Sequence, residues 1–235
     1  MISIKIDESG TSTVSMVRGG QTHNRAVSFS EVLGLLGEAT SFDTGLLPPG
    51  TRYFWHKGNK AVLVVEVPSH RRTLLVKHDY SSITHTIENV PLPNTIFIFK
   101  IVKSIGTYSI SQIQLHAGKR GIELDAETPL FEYPTPNVEG GRICWGYDGK
   151  VLNGLKHLSG IEGAVRAFYR TNFNDHIWYK DSLSKEFPFI KEFSWKKIEK
   201  YFNILAEQPC FSNDWLAPSR AHHTLGDAIS AYKSF

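Results

Sequence analysis

The chain is 235 residues long, with 41% hydrophobic and 21% charged residues, the balance of a water-soluble globular protein with length enough for its own core. A net charge of +3, with adjacent basic residues only at Arg71-Arg72, Lys119-Arg120 and Lys196-Lys197, argues against a nucleic-acid footprint. There is no apolar run of about 20 residues and no signal-peptide core after Met1, and two distant cysteines make no disulfide framework, so the expectation is a cytoplasmic protein without a membrane partner.

The first residues, Ile2 to Asp7, alternate apolar and polar as a strand does, and Glu8-Ser9-Gly10 turns the chain into a second strand over 13–17 that Gly19-Gly20 ends. Ser28 and Glu31 have capping-box spacing, which predicts a short helix over 29–38. Strands follow at 53–56, 61–67 and 73–77. The polar stretch 79–89 interrupts them, and two more lie at 95–103 and 108–115 around a tight connection at Ser104-Ile105-Gly106-Thr107. The nearly all-apolar 61–65 reads as a central strand. All five are expected in one antiparallel meander.

Beyond residue 150 the period becomes helical. Ser159 and Glu162 form a second capping-box pattern ahead of Ile161, Ala164, Val165 and Phe168 on one face. A helical region is predicted over 187–205, with Ser194 capping Trp195, Ile198, Phe202 and Leu205. A last helix carries Leu225, Ala228, Ile229 and Tyr232. The predicted organisation is an N-terminal extension (1–45, hairpin and short helix), a core (46–180) and a C-terminal helical region (181–235). The pattern alone supports an α+β class.

Between the strands and the helices lies the segment 133–149, Y-P-T-P-N-V-E-G-G-R-I-C-W-G-Y-D-G. Pro134 and Pro136 fix φ and bias Tyr133 and Thr135 toward extended geometry, while Gly140, Gly141 and Gly146 open backbone angles that other residues resist. Cys144 therefore sits on a stiffly approached, tightly turned loop, where a reactive thiol is placed. A buried inert cysteine is the commoner alternative. Thr135-Pro136-Asn137, Gly140-Gly141, Ile143 and Cys144 resemble the His-Pro-Asn, Gly-containing turn and apolar-Cys sequence of ubiquitin-conjugating enzymes, especially their divergent bacterial branch that includes protein B of the PRTRC cassette. Two departures stand out: Thr135 takes the place of His, and the Asn-to-Cys interval is one residue shorter.

The resemblance implies a ubiquitin-conjugating-like fold, an antiparallel meander with flanking helices. It also implies a transferase that holds a ubiquitin-like modifier as a thioester on Cys144 and passes it to an acceptor. A ThiF-type activating enzyme would supply the modifier and consume ATP, so this chain needs no cofactor, and a JAB-type protease could belong to the same system. Thioester exchange needs a thiolate and a held carbonyl rather than a strong base. By the same resemblance Asn137 supports the loop and stabilises an oxyanion; the alternative is an Asn that only closes a turn. Asp175 or His176 would orient or deprotonate an incoming amine, against an Asx-type turn with a solvated His. Cys210 lacks the turn signature and reads as structural. His222-His223 lacks metal-ligand spacing, and no P-loop, G-x-G-x-x-G or G-x-S-x-G is present. Two other readings stay open: an inert binding module of the same fold, and a cysteine hydrolase, which needs a His beside Cys144.

Overall fold

Strand β5 (Lys60–Val67) is buried from Ala61 through Glu66. Consecutive strand residues point to opposite faces, so six buried positions in a row require cover on both sides. The computed structural model describes residues 2–6, 11–28, 31–32, 45–77, 83–145, 153–174, 177–178, 183–191 and 194–234. Within them β5 lies between β4 (Thr51–Lys57) and β8 (Asn94–Ser104). Strand β9 (Thr107–Gly118) and the two-residue strands β11 (Arg142–Ile143) and β10 (Val138–Glu139) complete a sheet of order β10-β11-β9-β8-β5-β4.

One face of this sheet presents Leu63, Val65, Phe97, Phe99 and Ile101 to the larger core, and the other presents Val62, Val64, Ile96 and Ile98 to a smaller one. Each such side chain contributes about 1.5–3 kcal/mol by burial. The larger core is closed by α1 (Ile161–Arg170) and α3 (Trp195–Ala206), through Ile161, Ala164, Val165 and Phe168 and through Ile198, Tyr201, Phe202 and Leu205. The smaller is closed by α4 (Leu225–Lys233), through Leu225, Ala228, Ile229 and Tyr232. These are the faces that helical spacing predicts.

The meander is not a single sheet. Strand β6 (His70–Lys77) leaves it to pair with β7 (Thr84–Leu92), and β12 (Asn172–Phe173) joins β6 in parallel. The expected loop over 79–89 thus contains most of a strand, and β5 pairs with β8 instead, Val67 facing Thr95. The N-terminal hairpin likewise gains a third strand: β1 (Ile2–Ile6), β2 (Thr11–Arg18) and β3 (Gln21–Ser28) form a separate antiparallel sheet, and β3 is almost wholly exposed. A strand polar on both faces has no period-two signal to read.

Caps divide in the same way. Ser28 and Glu31 close their box, Glu31 N–H donating to Ser28 Oγ at 3.1 Å and Ser28 N–H to Glu31 Oε2 at 2.8 Å. Residues 29–30 and 33–38 of the predicted first helix lie outside the described residues. Thr224 and Asp227 form a complete box on α4. Ser159 does not cap α1: a 3-10 turn, Leu158–Gly160, already precedes the helix, so Ser159 lacks the extended backbone of an N-cap. The region 187–205 is broken, with a 3-10 turn at Pro188–Lys191, then Ser194 extended and without a side-chain cap before α3. Helix α2 (Leu183–Glu186) is a single turn.

Candidate functional site

The approach to Cys144 is a buried thread rather than an exposed loop. Residues 130–138 are buried throughout, with Tyr133 at 0%, Thr135 at 1% and Asn137 at 3% exposure. Two prolines hold the thread extended and spare two donors, which lowers the cost of burying its backbone. Its remaining groups find partners on three sides. Phe131 bridges to Ala117 of β9, Tyr201 Oη donates to Pro134 O at 3.0 Å, and Asn137 N–H donates to Ile177 O at 2.7 Å.

Asn137 adopts φ +65°, a left-handed conformation that Asn tolerates better than most residues. The chain then forms a two-residue hairpin: Val138 pairs with Ile143, Glu139 with Arg142, and Gly140 and Gly141 turn at φ +54° and +74°. Positive φ at both turn positions is the type I′ geometry that matches strand twist. Cys144 N–H closes the hairpin by donating to Asn137 O at 2.8 Å. The shortened Asn-to-Cys interval is the length this minimal hairpin requires to put the two residues opposite each other.

The Cys144 thiol is free and half-buried. Its neighbours Ile143 and Trp145 both pack against the large core. Asn137 Nδ2 donates to Asn172 O at 2.8 Å, and Asn174 N–H reaches Asn137 Oδ1 at 3.4 Å. With the Ile177 bond, the asparagine ties the cysteine hairpin to both flanks of positions 175 and 176. Asp175 and His176 themselves lie outside the described residues. Thr135, at the His position of the resembled motif, is buried, and its hydroxyl has no hydrogen-bond partner among the described residues.

Several residues with no sequence signal hold the hairpin from beneath. Leu115 N–H donates to Gly141 O at 2.8 Å, docking the turn on β9. Glu132, 3% exposed, accepts from Gly140 N–H at 3.1 Å and from Arg220 N–H at 2.8 Å, and Arg220 Nε lies 3.6 Å from it. The nearby cation and two donors compensate a carboxylate that would be costly to bury alone. Arg220 also reaches Glu139 at 3.2 Å, so the strap 217–224 and the hairpin share one charge cluster. His116 lies under the turn, where a Cβ on Gly141 would come 2.9 Å from its Cε1. Burial, then the neighbouring His222, drives the His116 pKa down to about 3, so the ring is neutral. Gln114 links the two imidazoles, at 3.1 Å from His222 Nε2 and 3.4 Å from His116 Nε2.

Cys210 is also free and half-buried, well separated in sequence from the hairpin. Among the described residues no three His, Cys, Asp or Glu side chains are grouped to hold a metal, and no helix is long and apolar enough to cross a membrane.

No curated protein and no solved structure matched the sequence. A family model, prokaryotic E2 family D, matches residues 35–203, which takes in β4 through β12, α1, most of α3 and the whole cysteine hairpin, and leaves out the N-terminal sheet, the strap and α4. With most of its length matched and the thiol hairpin inside the match, the chain belongs to prokaryotic E2 family D.

Proposed function

We propose that this protein carries a ubiquitin-like modifier as a thioester on Cys144 and passes it to an acceptor amine, on a core of the ubiquitin-conjugating type. The observation that carries the reading is the hairpin itself. Within the matched region, a half-buried thiol stands opposite a buried asparagine whose side-chain amide is fixed by the backbone of Asn172 and Asn174 and whose own N–H is held by Ile177 O. The Cys144 thiolate attacks the modifier's thioester carbonyl on a ThiF-type activating enzyme and expels that enzyme's thiol. An amine then attacks the new thioester and expels the Cys144 thiolate. In the exchange step thiolate is both nucleophile and leaving group, so no strong base is needed; in the second step the proton lost by the attacking amine passes to a nearby base. Asn137 Nδ2 carries two N–H groups and gives one to Asn172 O; the other serves the oxyanion that forms during amine attack. Asp175 and His176, between two residues bonded to Asn137, are the proposed partners of the incoming amine.

The test is loading. Incubated with its activating enzyme, the modifier and ATP, the wild type yields a higher-mass species that thiol reductant removes, and Cys144→Ala yields none. Asn137→Ala slows discharge to amine more than loading, on the order of ten- to a thousandfold. If neither the wild type nor Cys144→Ala yields that species with a verified activating enzyme, the conjugating reading fails and an inert binding module takes its place; if both yield it, Cys144 is not the carrier.

A further inference from the structure

The turn between β5 and β6 opens onto a hollow of about 660 Å³ lined by Val67, Pro68, Ser69, His70, Arg71, Arg72, Thr73, Tyr169 and Arg170. Three of those nine residues are arginines and none is acidic. Arg72 is pinned there. Its Nε donates to His70 Nε2 at 2.7 Å, and its guanidinium lies 4.2 Å over the Tyr169 ring. Nε2 can accept only because His70 puts its proton on Nδ1, which meets Pro68 O at 2.7 Å. Burial lowers the His70 pKa and keeps the ring neutral, so histidine supplies Arg72 with an acceptor but no charge.

Among the described residues no carboxylate pairs with Arg72, although the side chain is half-buried and held from two sides. A cation fixed in place with no carboxylate partner among the described residues is an unusual arrangement, because ordering and partial desolvation both cost free energy. Stacking on Tyr169 offsets part of that cost. It also leaves the two terminal nitrogens of the fork, the pair that grips an oxyanion bidentately.

Ser69, His70 and Arg71 also line a second, adjacent hollow. The second adds Arg120 and an apolar lining of Pro91, Leu92, Pro209 and Phe211. Arg71 helps shape this junction by donating to Ala206 O and Gln208 O at the open end of α3. Glu207 is exposed and lines neither hollow. A free inorganic anion would occupy a small part of this space and leave the apolar half bare. We infer that the groove from Arg170 through Arg72 to Phe211 binds an extended acidic peptide segment of a partner protein, with a carboxylate on the Arg72 fork and an adjacent apolar side chain in the Leu92–Phe211 hollow.

The site is independent of thioester chemistry, and its test reads binding alone. The full-length protein is titrated against fluorescein-labelled Gly-Leu-Glu-Glu-Leu-Gly and its Gln-Gln counterpart by fluorescence anisotropy. The Glu-Glu peptide binds, the Gln-Gln peptide binds at least about tenfold more weakly, and affinity falls with added salt. Arg72→Gln and the exposed Arg170→Gln each weaken the Glu-Glu complex severalfold, and both leave the circular dichroism spectrum unchanged. Because Arg170 is on the surface, its variant keeps the proposal open to refutation should Arg72→Gln misfold. Equal binding of both peptides, no binding of either, or variants that bind as wild type does would overturn it. So would inorganic phosphate binding in an Arg72-dependent way while the peptides do not, since the groove would then be an ion site only.

Discussion

Two hairpins in this chain turn on a glycine pair, and they show how the same local chemistry is put to different uses. Gly19 and Gly20 join β2 to β3 at φ +59° and +80°, much as Gly140 and Gly141 join β10 to β11. A Cβ added to either of the first two would meet nothing within 4 Å, and the strand that follows is exposed. A Cβ on Gly141 would run into His116, while Glu132 and β9 grip the turn's own backbone groups. The first turn needs glycine for its dihedrals alone. The second needs it for its dihedrals and for space, and so inherits every property of what lies beneath it.

Acid is the strongest way to break that contrast. His116 stays neutral in the folded protein down to about 3, whereas in the unfolded chain it protonates near 6.5. The folded state therefore binds fewer protons, so this contribution to stability is complete above about 6.5 and is lost as pH falls from there toward 3. By linkage the full loss is at most about 5 kcal/mol. Urea unfolding of wild type and His116→Gln at pH 7, 5 and 4 reads it: the wild type loses more stability over that range. Parallel losses in the two proteins would mean that the ring under the cysteine hairpin is not held neutral by the fold.

A pair of alanines sharpens the same contrast with less force. Gly20→Ala is expected to cost about 1–2 kcal/mol from its left-handed backbone alone. Gly141→Ala adds overpacking against His116, for a total of about 3 kcal/mol or more. Equal denaturation midpoints for the two variants would show that the underside yields freely. The smallest effect concerns the other thiol. Cys210→Ala should change stability by less than about 1 kcal/mol and leave modifier loading intact. A folded Cys210→Ala that failed to load would mean that Cys144 is not the carrier.

What the sequence determined by itself is whatever repeats or turns within a few residues. The doubly buried β5, the core faces of α1 and α4, the Thr224-initiated helix and the glycine turn before Cys144 all carry their signal locally, because strand alternation, helical period and positive-φ turns are short-range properties. Tertiary structure alone decided the rest. It removed β6 to its own sheet, paired Leu75 with Asn172 through a strand of only two residues, and buried the proline thread that leads to the cysteine turn. It also brought Arg220 onto Glu132 across 88 positions and His222 onto Gln114 across 108. A two-residue strand has no period, and a buried carboxylate looks like any other Glu until its distant donors arrive. The thiol and its turn were therefore legible in the chain, while the residues that hold them in place became visible only once the chain had folded back on itself.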